Sequence, residues 1–234
     1  MSTRTSAARL RRLDGRLSTR ATAPTVSAEP GLHQLGLARE RDALLYVPTN
    51  YRPDRPAPLA VMLHGAGGTA EHGMALLQTL ADVEGIVILA PSSTRQTWDL
   101  VLGAYGPDVS FIDEALAMTF ERCAIDPRRL TVGGFSDGAS YALSLGLTNG
   151  DLFTHVIAFS PGFVAPADHV GRPCCYVSHG IRDTVLPIVR CSRRLVPALE
   201  RAGYDVMYHE FDGLHTIPPE IALEACEWLL PSGA

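Results

Sequence analysis

Residues 133 to 138 read Gly133-Gly134-Phe135-Ser136-Asp137-Gly138, a G-x-S-x-G string that follows a short apolar run and precedes a helix-forming one. These residue types suit nucleophilic catalysis. A serine at the tip of a sharp strand-to-helix turn presents its hydroxyl to a substrate, and small residues at 134 and 138 let strand and helix pass without collision. The helix that begins beside Ser136 also directs backbone N–H groups and positive dipole at the reacting centre.

A serine hydroxyl needs a base, and the base needs an orienting acid. His215 lies in FDGLHTIPP, a glycine-containing loop that follows one apolar strand and precedes the last helix-like stretch. His209 falls within that strand, and His33, His72, His155, His169 and His179 precede or sit inside other elements. The acid is sought at another strand end, and SHGIRDTVLP puts Asp183 there. Asp212, three residues before His215, and Asp137, beside the serine, are its rivals. Asp137 reads better as a helix N-terminal carboxylate.

An attacked carbonyl develops an oxyanion, which calls for preorganised donors. His64-Gly65-Ala66-Gly67-Gly68 ends another buried strand, and its glycines let main-chain amides approach. The Ala66 and Asp137 amides are the expected pair. As a phosphate loop, GAGG lacks both the Lys-Ser/Thr of a P-loop and a full G-x-G-x-x-G. His64 reads as a hydrogen-bonded loop anchor. Trp98, Tyr105, Phe163, Leu186 and Ile188 fall in loops on the same edge and are candidates for an apolar substrate pocket, Trp98 and Leu186 being the two selected.

The elements that must position these residues alternate. Asp42 to Val47, Leu59 to Leu63, Ile86 to Ala90, Leu130 to Val132, His155 to Phe159, Cys174 to Ser178 and Asp205 to Phe211 read as strands. Helical periodicity covers 70–83, 108–123, 137–147, 192–201 and 219–230. Continuous apolar runs of strand length, each followed by a helix, predict a doubly wound, mostly parallel α/β sheet with helices on both faces. Ligands in such sheets bind at the carboxyl ends of the strands, where all three loops above lie.

Composition bounds the rest. The chain has 234 residues, 46% hydrophobic and 19% charged, which suits one core and one domain. No apolar run approaches the roughly 20 residues of a transmembrane helix. The net charge is −5, yet residues 1–28 carry six arginines (Arg4, Arg9, Arg11, Arg12, Arg16, Arg20) against Asp14 alone. We read 1–28 as a loosely ordered or surface-docked arm and 29–234 as the catalytic domain. The arm has neither the apolar core of a secretory signal nor aromatics to stack on bases. Five cysteines, an odd count without a CxxC or Cys/His cluster, read as buried free thiols in a reducing, cytoplasmic compartment, with no metal site.

Together, VMLHGAGG, GGFSDGAS, SHGIRDTVLP and GLHTIPP resemble the α/β-hydrolase superfamily over residues 42–231. They are most similar to its small phospholipase/carboxylesterase and polyhydroxybutyrate-depolymerase-like esterase groups. The resemblance implies Ser136 as nucleophile, His215 as base then acid, Asp183 as the residue that holds the imidazole tautomer, and no cofactor. It differs from the acyl-protein thioesterase relatives, which show GFSQG, in having Asp137 after the serine. Many members insert a helical cap after the strand that follows the nucleophile helix, but Ser160 to Arg172 is too short for one. The expected activity is hydrolysis of short- to medium-chain carboxylic esters through an acyl-enzyme. Thioester or amide cleavage by the same residues, or a binding module on the hydrolase fold, are the alternatives. A small-molecule ester is the expected partner, with no nucleic acid and with room for a homodimer.

Overall fold

Apolar residues on β3 (Ala57–Leu63) alternate between two cores: Leu59, Val61 and Leu63 face one, Ala60 and Met62 the other. β6 (His155–Phe159) repeats the pattern, with Val156 and Ala158 on the first side and Ile157 and Phe159 on the second. A strand buried on both faces needs a helical layer on each side. The computed structural model, which describes residues 14–230, supplies both layers.

The sheet has eight strands. β1 (Gly31–Gln34) and β2 (Ala43–Val47) are antiparallel at one edge. β4 (Val87–Pro91), β3, β5 (Ile125–Phe135), β6, β7 (Cys174–Gly180) and β8 (Val206–Phe211) then run parallel to one another. Helices α1 (Ala70–Ala75), α2 (Gln78–Glu84) and α6 (Pro219–Leu229) cover one face. Helices α3 (Pro107–Arg122), α4 (Asp137–Thr148) and α5 (Ser192–Arg201) cover the other.

Two elements depart from expectation. The single helix expected over 70–83 is two helices, because the Leu76 and Leu77 amides reach back three residues, to the Gly73 and Met74 carbonyls, and Leu77 leaves the helical conformation. Met74, Leu77 and Ala81 stay buried across the break, so the periodicity persists without continuous helix. β1 was not expected. Its burial alternates, but Gly31 and His33 take the half-buried positions while Leu32 is 54% exposed, so the strand carries no apolar alternation to read.

Residues 14–28 dock on the domain. Arg16 and Arg20 pair with Asp151, the Leu17 amide donates to Asn149, and the Ser18 and Thr19 amides donate to Asp113. Thr25, Val26 and Ala28 donate to carbonyls at the end of α3. Arg4, Arg9, Arg11 and Arg12 lie outside the described residues. All five cysteines are free, and burial pushes the Cys123, Cys175 and Cys226 thiols up to about 12. Among the described residues no helix is long and apolar enough to cross a membrane.

Between β6 and β7, residues 160–173 form no helical cap but lie along α4. Ser140, Ser144 and Thr148 stand four residues apart on that helix, and each hydroxyl donates to the carbonyl four residues earlier. Each then accepts an amide from the passing segment: Gly162 at 2.9 Å, Ala165 at 2.9 Å and Ala167 at 3.2 Å. The helix that starts beside Ser136 is thereby stitched to the loop alongside it.

Candidate active site

Ser136 sits between β5 and α4 with φ 58° and ψ −118°, a left-handed conformation that a non-glycine residue holds only where its surroundings enforce it. Close backbone packing enforces it. A Cβ on Gly134 would lie 2.6 Å from the Leu63 carbonyl oxygen, and one on Gly138 would collide with the same carbonyl and that of His64. The Ser136 amide donates to the Phe159 carbonyl at 2.9 Å, tying the turn to β6.

His215, in the loop after β8, places Nε2 2.8 Å from Ser136 Oγ. Its Nδ1 lies 2.6 Å from Asp183 Oδ2, and Phe135 packs on the ring at 4.6 Å between centroids. Asp183 is in the loop after β7 and its side chain is fully buried. The Val185 and Leu186 amides both donate to Asp183 Oδ1 at 2.8 Å. Burial alone would raise this carboxyl, but the Leu186 amide, His215 and the Val185 amide together hold it below the usual carboxylate range. The loop after β7 is held to the loop after β8 by the Ile181 amide on the Phe211 carbonyl and the Arg182 amide on that of Gly213.

The rival acids are occupied elsewhere. Asp212 pairs with Arg182 at 2.8 Å on the surface, and Asp137 accepts the Thr97 hydroxyl at 2.6 Å.

The glycine loop after β3 has its own supports. The Gly67 amide donates to the Gln96 carbonyl at 2.7 Å and that of Gly68 to Gly65 at 3.0 Å, whereas the exposed Ala66 amide has no acceptor among the described residues. Arg41, ahead of β2, donates to the Gly68 carbonyl at 2.7 Å and to the Ser93 carbonyl and hydroxyl, fastening this loop to the one after β4. Nothing in the sequence marks Arg41, whose partners lie some 25 and 50 residues away. Buried His64 accepts the Ser93 amide at Nε2 and contacts the Gly65 carbonyl through Nδ1. Burial holds its pKa below the ordinary value, as suits a neutral anchor.

Trp98 requires a correction. It is fully buried, donates its indole N–H to the His64 carbonyl at 2.9 Å, and packs between His64 and Tyr141. It supports the glycine loop from behind and has no surface to offer a substrate. Tyr105 and Ile188 are likewise buried. Leu186 and Phe163 are half-buried at the catalytic edge, with Leu186 against Gly162. Ile181, Val185, Val189 and Leu214, which sequence reasoning passed over, stand 45%, 64%, 61% and 58% exposed in the loops that carry Asp183 and His215. Among the described residues no cluster of His, Cys, Asp and Glu could hold a metal ion.

A serine, an imidazole and a carboxylate in hydrogen-bonded series, beside an amide without an acceptor, meet the geometric requirements of acyl transfer. Residues 36–190 match the Esterase family model. The chain belongs to that family. It is 28% identical over 157 residues to feruloyl esterase C of Emericella nidulans, a match covering 63% of this chain and 57% of that protein. It is 31% identical over 120 residues to an acetylxylan esterase of Coprinopsis cinerea, covering 47% of this chain and 32% of that one. The chain thus spans well under two thirds of the length of these curated relatives. The structure of esterase PE8 superposes with TM-score 0.62 at 26% identity, over 75% of this chain and 95% of that one. A phospholipase/carboxylesterase from Dyadobacter fermentans superposes at 0.60 and 22% identity, over 89% and 100%, a likeness of fold alone. The chain and these solved neighbours share the α/β-hydrolase architecture.

Proposed function

We propose that this esterase-family chain hydrolyses carboxylic esters through an acyl-enzyme, with Ser136 as nucleophile, His215 as general base then acid, and Asp183 as the orienting carboxylate. The observation that carries the reading is the unbroken series from Ser136 Oγ through both imidazole nitrogens to Asp183 Oδ2, at 2.8 and 2.6 Å. Asp183 can accept only from Nδ1–H, which leaves Nε2 bare to take the serine proton. Serine Oγ then bonds to the ester carbonyl carbon, and the Ala66 and Asp137 amides receive the oxyanion. The imidazolium returns the proton to the departing alkoxide. Water, deprotonated by the same nitrogen, repeats the attack and releases the acid and the free serine.

The exposed apolar residues Ile181, Val185, Val189 and Leu214 around His215 favour an uncharged acyl group of short to medium length. The names of the relatives add methyl ferulate and acetylated xylan to the substrates worth testing. Five unpaired thiols, four of them buried and Cys174 half-buried, fit a reducing compartment.

The test is a panel of p-nitrophenyl esters from acetate to palmitate with methyl ferulate, run on the native chain and Ser136→Ala, with fluorophosphonate labelling read by mass spectrometry. Label on Ser136 and loss of at least about 10⁴-fold in kcat on mutation is the expected result. Esters untouched and no label would leave a binding module on the hydrolase fold. Faster turnover of matched thioesters or anilides would reassign the leaving group.

A further inference from the structure

A second histidine touches the orienting acid. We propose that His179 is a positioning residue, which acts as a neutral Nε2–H donor that fixes Asp183 and the loop 181–188 for the Ser136–His215 pair; this rests on the triad reading above.

His179 is the penultimate residue of β7, with its side chain wholly inaccessible. Its Nε2 lies 2.8 Å from the Leu186 carbonyl and 3.2 Å from Asp183 Oδ2. A carbonyl oxygen can only accept, so Nε2 carries the hydrogen. In a neutral ring Nδ1 is then an acceptor, and it has a donor: the Ser192 hydroxyl at 2.7 Å, itself fully buried at the first turn of α5. Burial holds the imidazole below its ordinary pKa, and so neutral, although Asp183 pulls the other way.

The charged groups around it are accounted for. Asp183 and His215 face it from the loops after β7 and β8. Across the sheet it is opposite Glu210, which is engaged by Arg193 and Tyr208.

Two consequences follow for Asp183. The Leu186 residue that donates its amide to Oδ1 is the residue whose carbonyl is tethered by His179, so the donor and its tether move as one piece. And the Nε2–H bonded to the Leu186 carbonyl stands 3.2 Å from Oδ2, so its positive edge faces the carboxylate that His215 engages at 2.6 Å. This second N–H dipole makes Asp183 less basic and keeps the His215 imidazolium from being held too firmly to return its proton. A protonated His179 would place a second cation beside that imidazolium, and its burial prevents this.

The experiment compares His179→Leu, His179→Gln and Ser192→Ala in the full chain, with Ser136→Ala as control. Steady-state kinetics on p-nitrophenyl butyrate are followed against pH, and circular dichroism monitors folding. Glutamine can donate from Nε2 and accept at Oε1, so it reproduces both contacts, whereas leucine reproduces neither. His179→Leu is expected to lose about 10- to 100-fold in kcat. Its KM should stay within about twofold, and the acid limb of kcat/KM should move about half a unit toward neutral. His179→Gln should restore kcat to within about threefold and return the limb. Ser192→Ala, which leaves the Nε2 contacts in place, should fall between them.

If His179→Leu does not fold, the Gln and Ala variants still decide. Loss of kcat in His179→Gln as deep as in Ser136→Ala, or an unmoved limb in every variant, overturns the inference and leaves the triad standing. A Ser136→Ala variant that still hydrolyses the ester overturns the triad reading itself.

Discussion

The two halves of the site are built by different means. The turn at Ser136 is locked by backbone packing: Gly134 and Gly138 press on the Leu63 carbonyl, and Ser136 holds a positive φ among neighbours that are mostly buried. The half that carries Asp183 and His215 consists of two loops joined by two backbone hydrogen bonds, with its working groups set by hydrogen bonds to the Asp183 and His215 side chains, amid residues exposed to solvent. On the proposed acyl-transfer mechanism, the difference follows from what each must do. A strained backbone persists only under steric enclosure on all sides. An imidazole that gains and loses a proton every cycle needs acceptors and donors of fixed identity, while its rim stays open to substrate.

Asp183→Asn strikes the hydrogen-bonded half hardest. An amide can donate to Nδ1 and stabilise the wrong tautomer, so kcat should drop about 10⁴-fold with the fold intact by circular dichroism. Retention of more than a tenth of the activity would mean that another carboxylate orients His215.

Gly138→Ala probes the other half, and there stability is the readout. The added methyl collides with two carbonyls, so urea unfolding should show a loss of about 3 kcal/mol or no folded protein at all. Full stability would show that strand and helix can part without cost.

Trp98→Phe removes one hydrogen bond to the His64 carbonyl and should cost about 1–2 kcal/mol of stability. KM should stay within about twofold on every ester of the panel. A selective rise in KM for large acyl groups would return Trp98 to the substrate pocket.

The smallest expected effect concerns pH. Burial, and then the facing Asp108, push the Asp99 carboxyl up to about 6. The folded state thus keeps this proton where the unfolded chain has lost it, so this contribution to stability falls as pH rises from about 4 to about 6 and stays low above. Asp99→Asn should flatten that slope in denaturation midpoints. An unchanged slope would assign it to other groups.

The division also explains how much could be read from residues alone. The positions of Ser136, His215 and Asp183 at strand ends were legible because each follows a strand of clear apolar pattern. The strand His155–Phe159 and the helix Ser192–Arg201 have the bounds that the pattern implies. Trp98 misled because an aromatic in a catalytic-edge loop can point inward as easily as outward, and the buried His64 carbonyl beneath it draws the indole in. His179 was set aside as a strand residue. It is one, yet a buried polar side chain at the last turn inward of a strand must find partners, and the partners lie at Asp183, Leu186 and Ser192. Arg41 shows the limit most plainly, since only the folded chain brings Gly68 and Ser93 to it.

The hydroxyls of Ser140, Ser144 and Thr148 also set where this chain can grow. Amides at 162, 165 and 167 meet hydroxyls one helical turn apart, so an insertion between 162 and 167 throws the pairs out of register and loosens the helix behind Ser136. Asp168 and His169, just past the last pair, are exposed. Extra sequence spliced between them would loop into solvent while the stitching below stayed closed. A lid acquired by this molecule would have to enter there, at the far end of α4, and reach back along the whole helix to cover the serine.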